Sequence, residues 1–211
     1  MLRRVALASL LLGLFFSSAC SGLGLKAAGL NLGGGWMGQS YEYDGPQLLD
    51  PDRTFLWAGG PYLRLDLGSL EGWGIQLEAL YFQKGFKKDD FKVYDEHGDE
   101  VGTATLEPEA HYISVPLLLR LDFTAGSLTP YLVAGPSLEI LVSHDDFEVY
   151  DATGSATWGL HVGAGLESGR LGGSVRYVRD LQSSYEPVAG GTLDSVINDG
   201  IVAFVTLRLW P

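Results

Sequence analysis

The sequence predicts an all-β protein: an eight-stranded antiparallel up-and-down transmembrane β-barrel, preceded by a cleaved signal peptide. Three observations lead to this fold class, namely an N-terminal export signal, segments that alternate apolar and polar residues, and short connections that alternate with long ones. The 211 residues suit one domain. With 46% hydrophobic and 19% charged residues, the chain is too apolar for a disordered protein and too interrupted for a helical membrane protein.

The N-terminus has the order of a secretory signal peptide. Arg3 and Arg4 precede the apolar stretch 5–16, and the small residues 17–19 follow it. The apolar stretch is too short to span a bilayer as a helix. We therefore expect export followed by cleavage.

Cleavage after Ala19 divides the chain into a signal peptide at 1–19 and an outer-membrane β-barrel at 20–211. It also leaves Cys20, the only cysteine, as the first mature residue. Lipidation of Cys20 is one interpretation, and an unmodified thiol is the other. A single cysteine provides no disulfide framework, so the barrel must be held by its own backbone hydrogen bonds and by lipid.

Beyond residue 24, apolar and polar residues alternate with a period of two, and clusters of Gly, Asp, Ser and Pro separate the alternating segments. Most of these segments exceed the roughly 9–11 residues that a tilted strand needs to cross a bilayer. The predicted strands are 25–37, 54–67, 73–86, 108–123, 128–143, 156–168, 171–180 and 200–210.

The connections between these strands alternate in length. Those at 68–72, 124–127 and 168–170 are tight, and the other four are long. Outer-membrane barrels have short periplasmic turns and long outer loops. The pattern therefore predicts a bacterial outer-membrane location with both termini periplasmic.

The net charge of the mature chain is concentrated in the long loops. The segments 38–53, 84–107, 143–155 and 180–199 together carry −14, and the remaining mature residues sum to zero. An acidic chain cannot neutralise a run of phosphates, so we expect no nucleic acid partner. The acidic loops either bind divalent cations or are simply solvated, and the second interpretation is preferred because no EF-hand spacing is present.

One weak internal repeat lies in these loops. The segments Asp89–Asp95 and Asp145–Asp151 differ at one position in seven, and a Gly turn follows each. Both are expected to form hairpins that extend strands beyond the membrane. Shared hairpin chemistry explains the repeat more simply than duplicated function.

The parity of the alternation predicts which residues face lipid and which face the lumen. On the fourth predicted strand the outward residues are Ile113, Val115, Leu117, Leu119, Leu121 and Phe123. The same parity on all strands predicts an interior charge network of Arg64, Asp66, Glu78, Arg120, Asp122, Glu139, Glu167, Arg176 and Arg208, with His161 among them.

A barrel of eight strands has an interior just wide enough for side chains to fill it, and enclosed charges must be paired. Arginines and carboxylates nearly balance in this set, so a salt-bridged core that plugs the lumen is favoured over an ion-conducting path. Pro116 and Pro136 remove ladder donors, so we expect local bulges there. Glycines such as Gly33, Gly163 and Gly165 are expected to allow close packing inside a narrow barrel.

Several stretches resemble the PorT-like outer-membrane β-barrel family, common in Bacteroidetes and related phyla. They are Leu25–Leu32, Gln76–Gly85, Tyr112–Leu119, Pro130–Pro136 and Val175–Tyr177. The resemblance covers nearly the whole mature chain and implies a small outer-membrane barrel. One branch of that family is associated with protein secretion and gliding machinery. The resemblance therefore implies that a component of a secretion system is one possible partner of this chain.

We expect no catalytic site, no cofactor and no metal site. His97 and His144 lie among acidic loop residues. His111 lies near the outer interface, where a lipid-modifying enzyme could use a His with a Ser, but Ser114 has the opposite parity. A lipid-modifying enzyme is therefore kept only as a remote alternative.

The expected function is that of a monomeric structural or interaction barrel. Its partners would be outer-membrane lipid, the barrel-assembly machinery, and a surface or secretion partner that contacts the loops. The alternative is a narrow channel or transport protein of the outer membrane. A soluble ligand-binding barrel is disfavoured because its apolar outer face would be too large for a soluble monomer.

Overall fold

A computed structural model describes residues 23–43, 52–68, 70–94, 97, 100–106, 109–123, 126–144, 156–183 and 193–210. Cys20 and the predicted signal peptide lie outside these residues. No helix within the described ranges is long and apolar enough to cross a membrane. The strands are β1 (Leu23–Tyr43), β2 (Thr54–Leu67), β3 (Trp73–Glu78), β4 (Leu80–Gly85), β5 (Lys88–Tyr94), β6 (Glu100–Leu106), β7 (Glu109–Asp122), β8 (Thr129–His144), β9 (Ala156–Ser168), β10 (Leu171–Asp180) and β11 (Leu193–Trp210).

All strands except β5 and β6 form one closed antiparallel sheet. Successive barrel strands pair with each other, and β11 pairs with β1 to close the cylinder. β3 and β4 are two halves of one barrel strand, because both pair with β2 on one side and with β7 on the other in a single register. The barrel therefore has eight strands, and the predicted fold class is confirmed.

The first and last strands are longer than predicted. β1 continues to Tyr43 and β11 begins at Leu193, and the two strands pair along this extension. The sequence alternation weakens there because Gly, Ser and Asn interrupt it. Pairing with each other satisfies the backbone groups of both strands, so the extension needs no continuous apolar face.

The predicted bulges at Pro116 and Pro136 are wrong. The register of β7 with β8 is the same on both sides of these residues, and the register shift lies instead between His111 and Tyr112. The prolines interrupt the pairing without displacing it, since losing one donor removes a hydrogen bond but adds no residue to either strand.

The first copy of the repeat forms a hairpin, as predicted, but this hairpin is a separate sheet and does not extend the barrel strands. β5 pairs only with β6, in a two-stranded sheet that supplies no strand to the barrel. The second copy, Asp145–Asp151, lies outside the described residues. The hairpin emerges from the long connection between β4 and β7, at the loop end of the barrel.

Glycines on the inner wall make room for large side chains on the opposing strands. A Cβ added to Gly165 would lie 2.3 Å from Cζ of Tyr131, and one added to Gly163 would lie 2.7 Å from Cγ of Arg176. Both distances are too short for real contacts. Glycine at these positions allows the lumen to be filled, as the sequence predicts.

Candidate functional site

The candidate site is the filled lumen, where polar and apolar side chains lie in successive layers between the turn end and the loop end of the barrel. We name these the turn-end cluster, the central pair, the apolar layer and the loop-end cluster. The inward parity of each strand determines which residues enter a layer.

The turn-end cluster centres on Glu167 of β9. The Glu167 carboxylate lies 3.2 Å from Nη1 of Arg64, 2.8 Å from Nη2 of Arg120 and 2.6 Å from Nη2 of Arg208. These arginines come from β2, β7 and β11. One carboxylate therefore connects four strands across the lumen.

Asp122 completes this cluster on β7. Its carboxylate accepts from Nε of Arg120 at 2.8 Å and is bonded to Arg64 as well. Arg120 also lies over the ring of Tyr131, 3.5 Å from the centroid. At the mouth, Lys26 and Asp66 form a partly exposed pair at 2.8 Å.

The central pair is Glu78 of β3 and Arg176 of β10, and both side chains are fully buried. Nη1 and Nη2 of Arg176 donate to the two carboxylate oxygens at 2.6 and 2.9 Å. Asn31 donates to the same carboxylate at 2.9 Å. Gln76 donates to Glu78 and accepts from Arg120 at 3.0 Å, so it links the central pair to the turn-end cluster.

The apolar layer follows toward the loop end. Phe82 of β4, Val178 of β10, and Val202 and Phe204 of β11 pack together inside the barrel, each at most 2% exposed. On β10 the inward residues run from Arg176 to Val178 and then to Asp180. Along this strand, therefore, apolar residues separate the central pair from the next polar layer.

The loop-end cluster contains Lys84 of β4, which is completely buried. Nζ of Lys84 lies 2.5 Å from Asp180 and 3.4 Å from Glu139. Ser114 donates to Glu139 at 2.8 Å, and Nε2 of His161 lies 3.6 Å from the same oxygen. The cation is therefore held by two carboxylates from different strands.

All nine residues of the predicted charge network lie on the inner wall, although Asp66 and Arg208 are partly exposed at the turn end. Lys84 and Asp180 lie in the predicted strands 73–86 and 171–180, but their charges were counted with the long loops, and this was wrong because both side chains are buried in the lumen. Their parity, which matches that of Glu78 and Arg176, was the available signal. Asn31 and Gln76 were also missed, and parity would have found them.

Within the described residues the lumen holds equal numbers of positive and negative side chains. The cations are Lys26, Arg64, Lys84, Arg120, Arg176 and Arg208, and the carboxylates are Asp66, Glu78, Asp122, Glu139, Glu167 and Asp180. A narrow interior can accommodate charged side chains only when they are balanced and paired.

The His and Ser considered for lipid chemistry do not meet in the part of the chain that the structure describes. They contain no group of three His, Cys, Asp or Glu side chains arranged to hold a metal ion. His111 lies against Tyr81, with Nδ1 2.6 Å from the hydroxyl, whereas Ser114 points inward to Glu139. His111 and Ser114 therefore face opposite sides of the wall.

Comparison with known protein families identifies the relatives of this chain. Residues 54–186 match the family described as outer membrane protein beta-barrel domain. The chain belongs to this family. Membership implies a location in the bacterial outer membrane.

Solved structures with the same architecture have low sequence identity. The outer membrane protein OprG from Pseudomonas aeruginosa is 15% identical, with a TM-score of 0.50, over 88% of this chain and 96% of that one. Neisserial surface protein A (NspA) is 13% identical, with a TM-score of 0.49, over 88% of this chain and 99% of that one. The OprG likeness supports the fold alone. No curated protein sequence matches the chain.

Proposed function

We propose that the protein is a plugged outer-membrane barrel that anchors acidic loops for contact with a partner, with both termini in the periplasm. The observation that carries this proposal is the apolar layer, which lies between charge clusters whose members are already paired. An ion that crossed this layer would lose its hydration without gaining a fixed opposite charge.

The interior favours an anchoring function over transport. Each charged side chain described in the lumen has an opposite charge within 3.6 Å, so none is left to attract a passing solute. The unbalanced charge of the chain belongs to the long loops, which carry −14 in total. Contact with a partner therefore belongs to the loops.

A narrow channel is the second candidate, because some buried polar atoms lie in or beside the apolar layer without a hydrogen-bond partner. They include the hydroxyls of Ser137 and Thr157 and both ring nitrogens of His161. Water molecules at these atoms would form part of a hydrated path. In that case neutralising Glu78 or Arg120 would alter the conductance.

Single-channel recording in planar bilayers distinguishes the two candidates. The folded wild-type barrel is expected to give no discrete conductance steps, whereas the double variant Phe82→Ala/Phe204→Ala, which removes both aromatic rings from the apolar layer, should conduct. Heat-modified gel mobility verifies that both proteins are folded. Steady conductance of the wild type would contradict the anchoring function.

The resemblance to PorT-like barrels supports a secretion partner as one form of this function. We propose that the partner binds the loops of a monomeric barrel and that the chain is not an enzyme. Neutralising the loop carboxylates should abolish capture of such a partner, whereas neutralising the exposed periplasmic pair Lys26 and Asp66 should not. The reverse pattern would contradict binding by the loops.

A further inference from the structure

A groove crosses the lipid-facing wall of the barrel, from the middle of β2 and β7 to the turn-end part of β1 and β11. Its lining includes the small residues Ala28, Pro61 and Ala79. It also includes outward leucines from β1, β2 and β3, namely Leu30, Leu63 and Leu77. We call this feature the lipid-side groove.

The groove follows a row of paired residues perpendicular to the strands. Leu30 pairs with Pro61, and Ala79 N donates to Pro61 O at 3.1 Å. On one side the lining reaches Val115 of β7, and on the other it reaches Leu209 of β11, which lies beside Ala28. Five barrel strands therefore contribute, which gives a length of about 19 Å because neighbouring strands lie about 4.8 Å apart.

Prolines weaken the wall at this level. Pairing is interrupted between β2 and β4 at Pro61, between β4 and β7 at Pro116, and between β7 and β8 at Pro136, although the register continues in each case. Pro61 has no N–H to return to Ala79, so that pair forms one backbone hydrogen bond where an ordinary pair forms two. We call these three interruptions the proline seam.

We propose that the lipid-side groove is a binding site for a single acyl chain of a membrane lipid. The groove has a volume of about 470 Å³, which lies within the range of about 300–1,000 Å³ for ligand sites. Its lining is apolar and continuous with the outward leucines, valines and isoleucines that contact the membrane. An acyl chain matches its length, its chemistry and its position.

Photo-crosslinking tests this proposal on the full mature chain in nanodiscs. The probe is a phosphatidylethanolamine with a diazirine on one acyl chain, diluted into an unlabelled bilayer. Adducts mapped by mass spectrometry should concentrate on peptides that contain Leu30, Leu63 and Leu77, and labelling should saturate at low probe fraction. Even labelling of outward residues all round the barrel, rising linearly with probe, would overturn the proposal.

Two variants sharpen this test. Ala79→Trp should fill the groove and reduce the labelling of the Leu63 peptide several-fold, whereas Ala164→Trp, an outward alanine on β9, should leave it unchanged. Heat-modified gel mobility verifies folding of both. Equal labelling in the two variants would contradict a defined site, as would a chemically cross-linked dimer joined through Leu63 with no lipid adduct there.

Discussion

The ion pair of Glu78 and Arg176 has no contact with solvent, so the two charges depend on each other and on Asn31 and Gln76. Removing one partner of such a pair leaves an uncompensated buried charge. Arg176→Met should therefore lower the free energy of unfolding by about 3–5 kcal/mol. Urea titration in detergent micelles measures this loss.

The exposed pair of Arg53 and Asp199 provides the control for that substitution. Its ions lie 3.1 Å apart, but the Arg53 side chain is 47% exposed. Exposed pairs contribute about 0–1 kcal/mol, so Arg53→Met should change stability little. Equal losses in the two variants would show that burial of the central pair has no special effect.

Gly163 is expected to tolerate no side chain. A Cβ there would lie 2.4 Å from the carbonyl oxygen of Val175 as well as against Arg176. Gly163→Ala should destabilise the barrel by about 1–3 kcal/mol, as overpacking does. At Gly24 an added Cβ meets nothing within 4 Å, so Gly24→Ala should have no comparable effect in the same titration.

At this scale, parity alone predicts most of the lumen. It brings Arg64, Glu78 and Arg176 inward because side chains alternate strictly along a strand. Lys84 and Asp180 were missed because their charges were counted with the long loops, although both residues fell inside the predicted strands 73–86 and 171–180 with inward parity. Pairing partners could not be predicted, since the distance between two lumen side chains depends on barrel shear as well as parity.

Among the structural elements, the proline seam should lower the stability of the barrel, and replacing a proline there should restore part of it. Pro61→Ala restores an N–H opposite the carbonyl of Ala79 and keeps the outward side chain small. The restored hydrogen bond should stabilise the barrel by about 0.5–1.5 kcal/mol, and hydrogen exchange should show the new amide protected.

Pro130 is the matched control for Pro61. Pro130 O likewise accepts a hydrogen bond from Phe123 N at 2.8 Å, and Pro130 has no N–H to return to the carbonyl of Phe123. It lies at the turn end, where water can satisfy the carbonyl of Phe123, so Pro130→Ala should stabilise the barrel less. A larger gain at Pro130 than at Pro61 would contradict the argument.

The β5–β6 hairpin should be dispensable for folding of the barrel. Lys88 and Leu106 are paired at its base, so a short Gly-Ser linker can replace residues 89–105. The shortened chain should keep its heat-dependent gel shift, because the hairpin adds no strand to the closed sheet. Deleting Leu193–Trp210 should abolish the shift, and loss of the shift in the hairpin deletion would contradict this assignment.

Strand existence was predictable here and strand ends were not. The alternation predicted every barrel strand, because each must present one face to lipid. The extension of β1 to Tyr43 and of β11 back to Leu193 depends on pairing between these two strands. Because the strands lie far apart in the sequence, local alternation could not predict it. The bulges expected at prolines did not form because neighbouring pairs hold the register on both sides.

For the whole molecule, charge is separated by environment. The charges of the described lumen are balanced and, apart from those at the turn-end mouth, buried; the lipid-facing wall is apolar, and the long loops hold the excess negative charge. A closed sheet leaves no edge for association, and side chains fill the interior of a barrel this narrow. Connection lengths and composition predicted this division, whereas the apolar layer emerged only from the three-dimensional arrangement.

The most direct test of the plug is the accessibility of a thiol within it. In a Cys20→Ser background, Val202→Cys introduces a side chain of similar size into the apolar layer, where Val202 is 1% exposed. Lys26→Cys introduces a thiol at the turn-end mouth. We expect a charged methanethiosulfonate reagent to modify the Lys26→Cys barrel rapidly and the Val202→Cys barrel only after unfolding in urea. Rapid modification of folded Val202→Cys would show that water and ions cross the layer, and it would contradict the plugged barrel.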